Sequence, residues 1–200
     1  HRTLIVPQLA APGVSAPAVL RRSGFRVEYG PVRARDLPTY LTNGHVATDE
    51  MRKVRFDLAD RLAVVPVEMV AAALPTIAAS VGLWLLAGPF AGLGPLAAVL
   101  AGTVLFPVLL PYLPTRDFST KGLVLGAFVA FPFAYLFGTA PVFSGWAAVL
   151  AAAVPLLLMP ATTAYLSLTF TGSTPFASRT GVKKEIFRYV PVMALMAAAG

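Results

Sequence analysis

The chain has 200 residues, of which 57% are hydrophobic and 12% are charged, with a formal net charge of +7 at pH 7 and no cysteine. Soluble domains carry about 25% charged residues, so this composition favours a membrane protein. The absence of cysteine excludes disulfides, thiolate metal sites and a cysteine nucleophile within these residues.

Charge is distributed unevenly along the chain. Residues 1–70 contain ten of the 16 Lys and Arg residues and seven of the nine Asp and Glu residues. This distribution predicts a water-soluble segment followed by lipid-embedded helices. Because the sequence begins without Met and ends inside an apolar run, we expect it to be a C-terminal fragment of a longer protein.

The first 66 residues show a strand–helix–strand–helix pattern. Residues 4–6 are predicted to form a short buried strand, and a loop with Pro and Gly leads to a helix over residues 16–22. Residues 25–29 alternate apolar and charged side chains, which predicts a half-buried strand. A second helix is expected at 37–41 and a further strand region at 54–67. This order predicts parallel strands in an incomplete α/β domain over residues 1–66.

Residues 67–200 are predicted to form an α-helical transmembrane bundle of about five spans. Each apolar stretch has about the 20 residues that a bilayer requires. The spans contain almost no Asp, Glu, Lys, Arg or His, which argues against ion-coupled transport and leaves an anchor or a passive pore. The expected spans are 67–87, 92–113, 123–140, 146–168 and a truncated fifth span over 190–200.

The loops between the spans predict the orientation. Two loops are uncharged, whereas the alternate loops carry the basic residues Arg116, Lys121, Arg179, Lys183, Lys184 and Arg188. By the positive-inside rule, the basic loops and residues 1–66 face the cytoplasm, so the protein is expected in the cytoplasmic (inner) membrane. The cluster Arg179, Lys183, Lys184 and Arg188 either attracts anionic lipid headgroups or docks an acidic partner.

Common chemical motifs are absent from the sequence. It contains no dinucleotide-binding or P-loop glycine motif, no zinc-protease motif, no calcium loop and no nucleophile elbow. With two histidines and no cysteine, no metal site is expected in these residues. The basic excess lies in loops without stacking aromatic residues, so no nucleic-acid partner is expected.

Four segments carry a resemblance to a known family. HRTLIVPQLAAPGV, RRSGFRVEYGPVRARDLPTYL, TDEMRKVRFDLADRLAVVPVEM and FTGSTPFASRTGVKKEIFRYVP resemble the HgcA family, the membrane-anchored corrinoid proteins of microbial mercury methylation. A weaker resemblance links the first segments to the large subunit of the corrinoid iron–sulfur protein. The resemblance covers essentially the whole chain. It implies that residues 1–66 are part of a corrinoid-binding, Rossmann-like α/β domain.

The resemblance also implies a function. A methylated corrinoid (cobalamin-type) would transfer its methyl group to inorganic Hg(II) and give methylmercury, so the full-length protein would be a corrinoid-dependent methyltransferase. A cysteine from an upstream cap helix would be the lower cobalt ligand, so no catalytic residue is expected here and the fragment alone is expected to be inactive. The implied partners are a ferredoxin-like iron–sulfur reductant (HgcB-type), a methyl donor protein or methyl-folate, and the lipid bilayer.

The cofactor-binding residues are expected after the first two strands, where open α/β sheets place their ligands. The small residues at these positions let the backbone approach a large macrocycle. The expected residues are Gln8, Leu9, Ala10, Ala11, Gly13, Val14, Gly30 and Pro31. Two other functions stay open: a membrane-anchored methyl carrier of one-carbon (acetyl-CoA pathway) metabolism, and a non-catalytic membrane scaffold or passive pore.

Overall fold

A computed structural model describes residues 2–174 and 178–200. These residues form mainly helices, together with one two-stranded sheet. The chain divides into two compact units, His1–Arg55 and Phe56–Gly200. The sequence-based prediction placed the domain boundary at residues 66 and 67.

The N-terminal unit contains the two predicted strands, which pair in parallel so that Thr3 lies opposite Arg26 and Pro7 opposite Gly30. The first helix ends at Gly24, whose φ of 72° gives the left-handed conformation typical of a helix C-terminus. The elements in chain order are β1 (Thr3–Pro7), α1 (Ala16–Ser23), β2 (Arg26–Gly30), α2 (Leu37–Thr42) and α3 (Asp49–Arg52).

The predicted Rossmann-like α/β domain was wrong. The described residues contain two short strands, which are too few to build an open sheet with a ligand crevice. Residues 54–67 were expected to add a strand but contain helix α4 (Leu58–Leu62). The Asp57 side chain accepts from the Asp60 backbone N–H at 3.1 Å, and Asp60 accepts in return from Asp57 at 3.4 Å. This capping box favours a helix start over the strand.

The described residues of the C-terminal unit include four helices long and apolar enough to cross a membrane, which is compatible with a multi-pass membrane protein. They cover Leu58–Ala87, Pro89–Leu109, Phe118–Gly138 and Trp146–Ser173. After α4, the elements of this unit are α5 (Val65–Ala87), α6 (Pro89–Leu100), a π-helical segment (Ala101–Leu105), α7 (Phe106–Leu109), α8 (Phe118–Gly138), α9 (Trp146–Thr169) and α10 (Arg179–Ala199).

The prediction of about five spans was also wrong for the described residues. Helix α10 includes the expected fifth span, but it starts well before residue 190 and is not among the four candidate spans. Its first half contains five charged residues that lower its hydropathy, and these are Arg179, Lys183, Lys184, Glu185 and Arg188.

Helices α8 and α9 pack with their backbones close together. A Cβ at Gly122 would lie 2.6 Å from Cα of Ala164, and a Cβ at Gly126 would lie 2.5 Å from Cα of Pro160. Small residues spaced four apart allow this approach, as they do in many membrane helix pairs. The sequence Gly122-x-x-x-Gly126 therefore marks a real helix contact.

Candidate functional site

The loop Gln8–Val14 follows β1 at the carboxyl edge of the parallel strand pair. Pro7 lies opposite Gly30, so the residues after each strand meet at the same edge. A 3-10 turn over Gln8–Ala10 begins the loop, and the backbone N–H groups of Gly13 and Val14 both donate to the Ala10 carbonyl at 2.9 Å. The loop is therefore compact and hydrogen-bonded to itself.

Contact with β2 fixes the end of this loop. The Tyr29 hydroxyl donates a hydrogen bond of 2.5 Å to the carbonyl of Val14. Since Tyr29 lies one residue before Gly30, this bond holds the end of the Gln8–Val14 loop close to the carboxyl end of β2. The structure thus brings the two predicted cofactor-binding segments together.

Most of the loop is accessible to a ligand. Leu9 is 53% exposed, and Gln8, Ala11 and Gly13 are also exposed. Ala10 and Val14 are half-buried. A Cβ at Gly13 would have the Ala10 carbonyl oxygen as its nearest neighbour at 3.8 Å, so the space around Gly13 is open. These residues form a small, largely apolar surface that a planar ligand can approach closely.

Gly30 and Pro31 do not share this exposed surface. Both are buried. A Cβ at Gly30 would lie 2.7 Å from Cγ2 of Ile5 and 3.6 Å from the Tyr40 ring. Residues of β1 and α2 pack so closely against Gly30 that there is no room for a side chain. Gly30 therefore lies in the interior of the unit.

A polar cluster on β2 was not found from the sequence. The Tyr40 hydroxyl donates to the Glu28 carboxylate at 2.6 Å, and Nδ1 of His45 lies 3.0 Å from both Glu28 oxygens. The hydrogen bonds from Tyr40 and then from His45 lower the pKa of Glu28. The bond to Glu28 and burial raise the pKa of Tyr40 to about 12. The spacings of 12 and 17 residues give no sequence signal for this cluster.

The predicted docking residues lie on α10. Lys183, Lys184 and Arg188 are exposed, and the side chain of Arg179 lies outside the described part of the structure. Glu185 is the acidic residue in the same stretch of α10. Its carboxylate lies at the N-terminus of α8, where it accepts hydrogen bonds from Ser119. The exposed surface of this stretch of α10 therefore carries positive charge that its own carboxylate does not neutralise.

The exposed residues of the predicted site meet some of the requirements for binding a corrinoid but not all of them. Gln8, Leu9, Ala11 and Gly13 offer an open apolar surface of the kind that one face of a macrocycle needs. The loop contains no His or Cys that could ligate cobalt, and His45 contacts Glu28. The loop therefore offers an apolar contact surface and no cobalt ligand among its own residues.

Comparison of the chain with protein-family models, with curated proteins and with solved structures gives no match.

Proposed function

We propose that the chain is the membrane-anchored part of a corrinoid-dependent methyltransferase that transfers a methyl group to inorganic Hg(II). One structural observation supports this proposal above the others. The parallel register of β1 and β2 places the exposed Gln8–Gly13 surface at the carboxyl edge of the strands. In the part of the chain that the structure describes, four apolar helices follow this surface, and in this proposal they are the anchor.

The residues of this chain divide into two roles in the proposal. Gln8, Leu9, Ala11 and Gly13 contact the macrocycle, and Tyr29 holds their loop in place through its bond to Val14. The corrinoid, when bound, supplies the transferable methyl group. Gly30 and Pro31 support the edge from inside the unit and make no direct contact.

The reductant is proposed to dock on α10. Lys183, Lys184 and Arg188 present positive charge to an acidic ferredoxin-like partner, and complementary charge speeds encounter between proteins. In this proposal the basic loops and α10 face the cytoplasm, as the positive-inside rule favours.

The acceptor of the methyl group is tested directly with isotope-enriched Hg(II). Membranes containing the complete gene product are incubated anaerobically with methylcobalamin, a reduced ferredoxin and labelled Hg(II). Labelled methylmercury is then measured by mass spectrometry. The proposal predicts its formation in wild type, its loss in Leu9→Asp and its retention in Leu41→Asp, which changes a comparably exposed leucine of α2. Cobalamin binding without methylmercury would identify a methyl carrier of one-carbon metabolism instead.

A further inference from the structure

The C-terminal unit contains a long apolar cleft with a volume of about 740 Å³. One wall is α5, whose lining residues recur every three or four positions from Glu68 to Ala87. A helix of this length spans about 28 Å, close to the ~30 Å hydrocarbon thickness of a bilayer. The opposite wall is α9, which lines the cleft from Ala151 to Thr169.

Small side chains on α5 and α6 leave the cleft open. Ala72 and Ala79 line it from α5, and Gly94 and Ala98 line it from α6. Only 11% of the apolar window in the first span is buried, against 28–39% in the other three spans. The cleft therefore lies beside the span that is least buried by the rest of the chain.

Helices α5 and α6 run in opposite directions. One residue, Gly88, separates them. A Cβ at Gly92 would lie 2.9 Å from Cβ of Trp84, so the two helices pack tightly where they meet.

Helices α6 and α9 run in the same direction. The Thr163 hydroxyl donates to the carbonyl of Ala98 at 3.1 Å. Four residues further along the chain, in the π-helical segment that continues α6, a Cβ at Gly102 would lie 2.7 Å from Cβ of Leu166. Helix α9 is therefore antiparallel to α5, and the first turn of α5 is level with the last turn of α9.

The two ends of the cleft consequently differ in chemistry. Glu68 lies at one end, with Tyr165 and Thr169 from the end of α9. The other end contains Ala87, Phe143 and Ala151, which are apolar. Among the lining residues in the described part of the chain, Glu68 is the only charged one, and it forms no ion pair with another described residue.

We propose that the cleft binds an acyl chain of a phospholipid whose primary ammonium head group pairs with Glu68. The apolar length accepts hydrocarbon, and a volume in the range of about 300–1,000 Å³ is typical of ligand sites. An ammonium group donates hydrogen bonds to a carboxylate and carries the opposite charge. Phosphatidylethanolamine has this chemistry, whereas the choline head group has no N–H donor.

The test uses the chain in nanodiscs that contain either phosphatidylethanolamine or phosphatidylcholine, each with a photoreactive diazirine on its acyl chain. After illumination, mass spectrometry locates the labelled residues. We expect labelling of cleft residues on α5 and α9, with more label from the ethanolamine lipid. Ala79→Leu fills the cleft and should reduce this label by about tenfold. Ala78→Leu is the matched control because Ala78 is exposed on the same helix and does not line the cleft.

A second variant tests the head-group contact without changing the cleft volume. Glu68→Gln should remove the preference for the ethanolamine lipid while cleft labelling continues. Equal labelling of wild type by both lipids would overturn the head-group assignment. Equal cleft labelling in Ala78→Leu and Ala79→Leu would show that the label comes only from the ordinary lipid that surrounds the protein, and not from a lipid bound in the cleft. Absence of cleft labelling in wild type would show that no acyl chain occupies the cleft, and would overturn the proposal.

Discussion

The carboxylate of Glu185 on α10 accepts two hydrogen bonds from Ser119 in the first turn of α8, at 3.1 Å from the backbone N–H and 3.0 Å from the hydroxyl. One turn further along α10, the Tyr189 hydroxyl donates to Asp117 at 2.8 Å. A negative charge at a helix N-terminus is stabilised by the unpaired N–H groups and the helix dipole. Helix α10 is therefore held to α8 by polar contacts.

Replacing Glu185 with Ala should loosen this attachment. The substitution leaves the fully buried Ser119 without its acceptor, and hydrogen bonds to charged groups contribute about 1.5–3 kcal/mol. We expect a lower melting temperature of the detergent-solubilised chain. Lys184→Ala, at an exposed neighbouring position, should leave the melting temperature nearly unchanged. Equal melting temperatures for Glu185→Ala and wild type would show that the contact contributes nothing.

The α8–α9 contact should not tolerate a methyl group. In Gly126→Ala the new Cβ would lie 2.5 Å from Cα of Pro160, and a backbone atom cannot move aside cheaply. Overpacking of this kind costs about 1–3 kcal/mol. Gly82→Ala is the control, because a Cβ at Gly82 meets nothing within 4 Å. The measurement is thermal unfolding in detergent, and equal stability of the two variants would contradict the packing described for Gly126.

The Glu28 cluster should make the N-terminal unit sensitive to acid. The lowered pKa of Glu28 means that the folded unit favours the carboxylate. The ionised Glu28 carboxylate stabilises the folded unit at pH values above its ordinary pKa of 4.5. This stabilisation is lost as the pH falls through the lowered pKa of Glu28 in the folded unit. Pepsin cleavage within residues 2–55 should therefore rise more steeply for wild type than for Glu28→Gln as the pH decreases below about 4.5. Parallel cleavage curves would exclude this role for Glu28.

Charge reversal on α10 should slow reduction of the corrinoid. Lys183→Glu with Lys184→Glu changes the sign of the proposed docking surface, which should lower the reduction rate by about tenfold at low salt. The rates of variant and wild type should converge at high salt because ions screen exposed charges. Arg21→Glu with Arg22→Glu on α1 is the control. An unchanged rate at low salt in correctly inserted protein would remove α10 from partner docking.

Local patterns in the sequence were sufficient for several elements. The alternation around Val27 and the Pro- and Gly-rich loop before α1 predicted β1, α1 and β2 at nearly their observed positions. Hydropathy predicted the four apolar helices because each is long and almost uncharged. Gly122 and Gly126, spaced four residues apart, permit the close α8–α9 contact, and the structure supplies Pro160 and Ala164 as their partners.

Other features depend on contacts that no local pattern reveals. Residues 54–67 were expected to form a further strand region, but the capping box of Asp57 and Asp60 favours a helix, and the sheet has two strands in the described part of the chain. Gly30 matched the pattern of a ligand-binding turn, yet its neighbours are Ile5 and Tyr40 in the interior. The packing partner of a glycine is known only once the chain has folded.

Retention of cobalamin by the complete gene product tests the central proposal most directly. The protein is produced with hydroxocobalamin, purified, and measured for corrinoid absorbance and the cobalt-to-protein ratio. We expect cobalamin in wild type and in Leu41→Asp, and a loss of about tenfold or more in Leu9→Asp, because a carboxylate on the exposed Gln8–Gly13 surface disrupts an apolar contact with the macrocycle. Wild-type protein without cobalamin, or equal cobalamin in Leu9→Asp and Leu41→Asp, would contradict the proposed corrinoid surface.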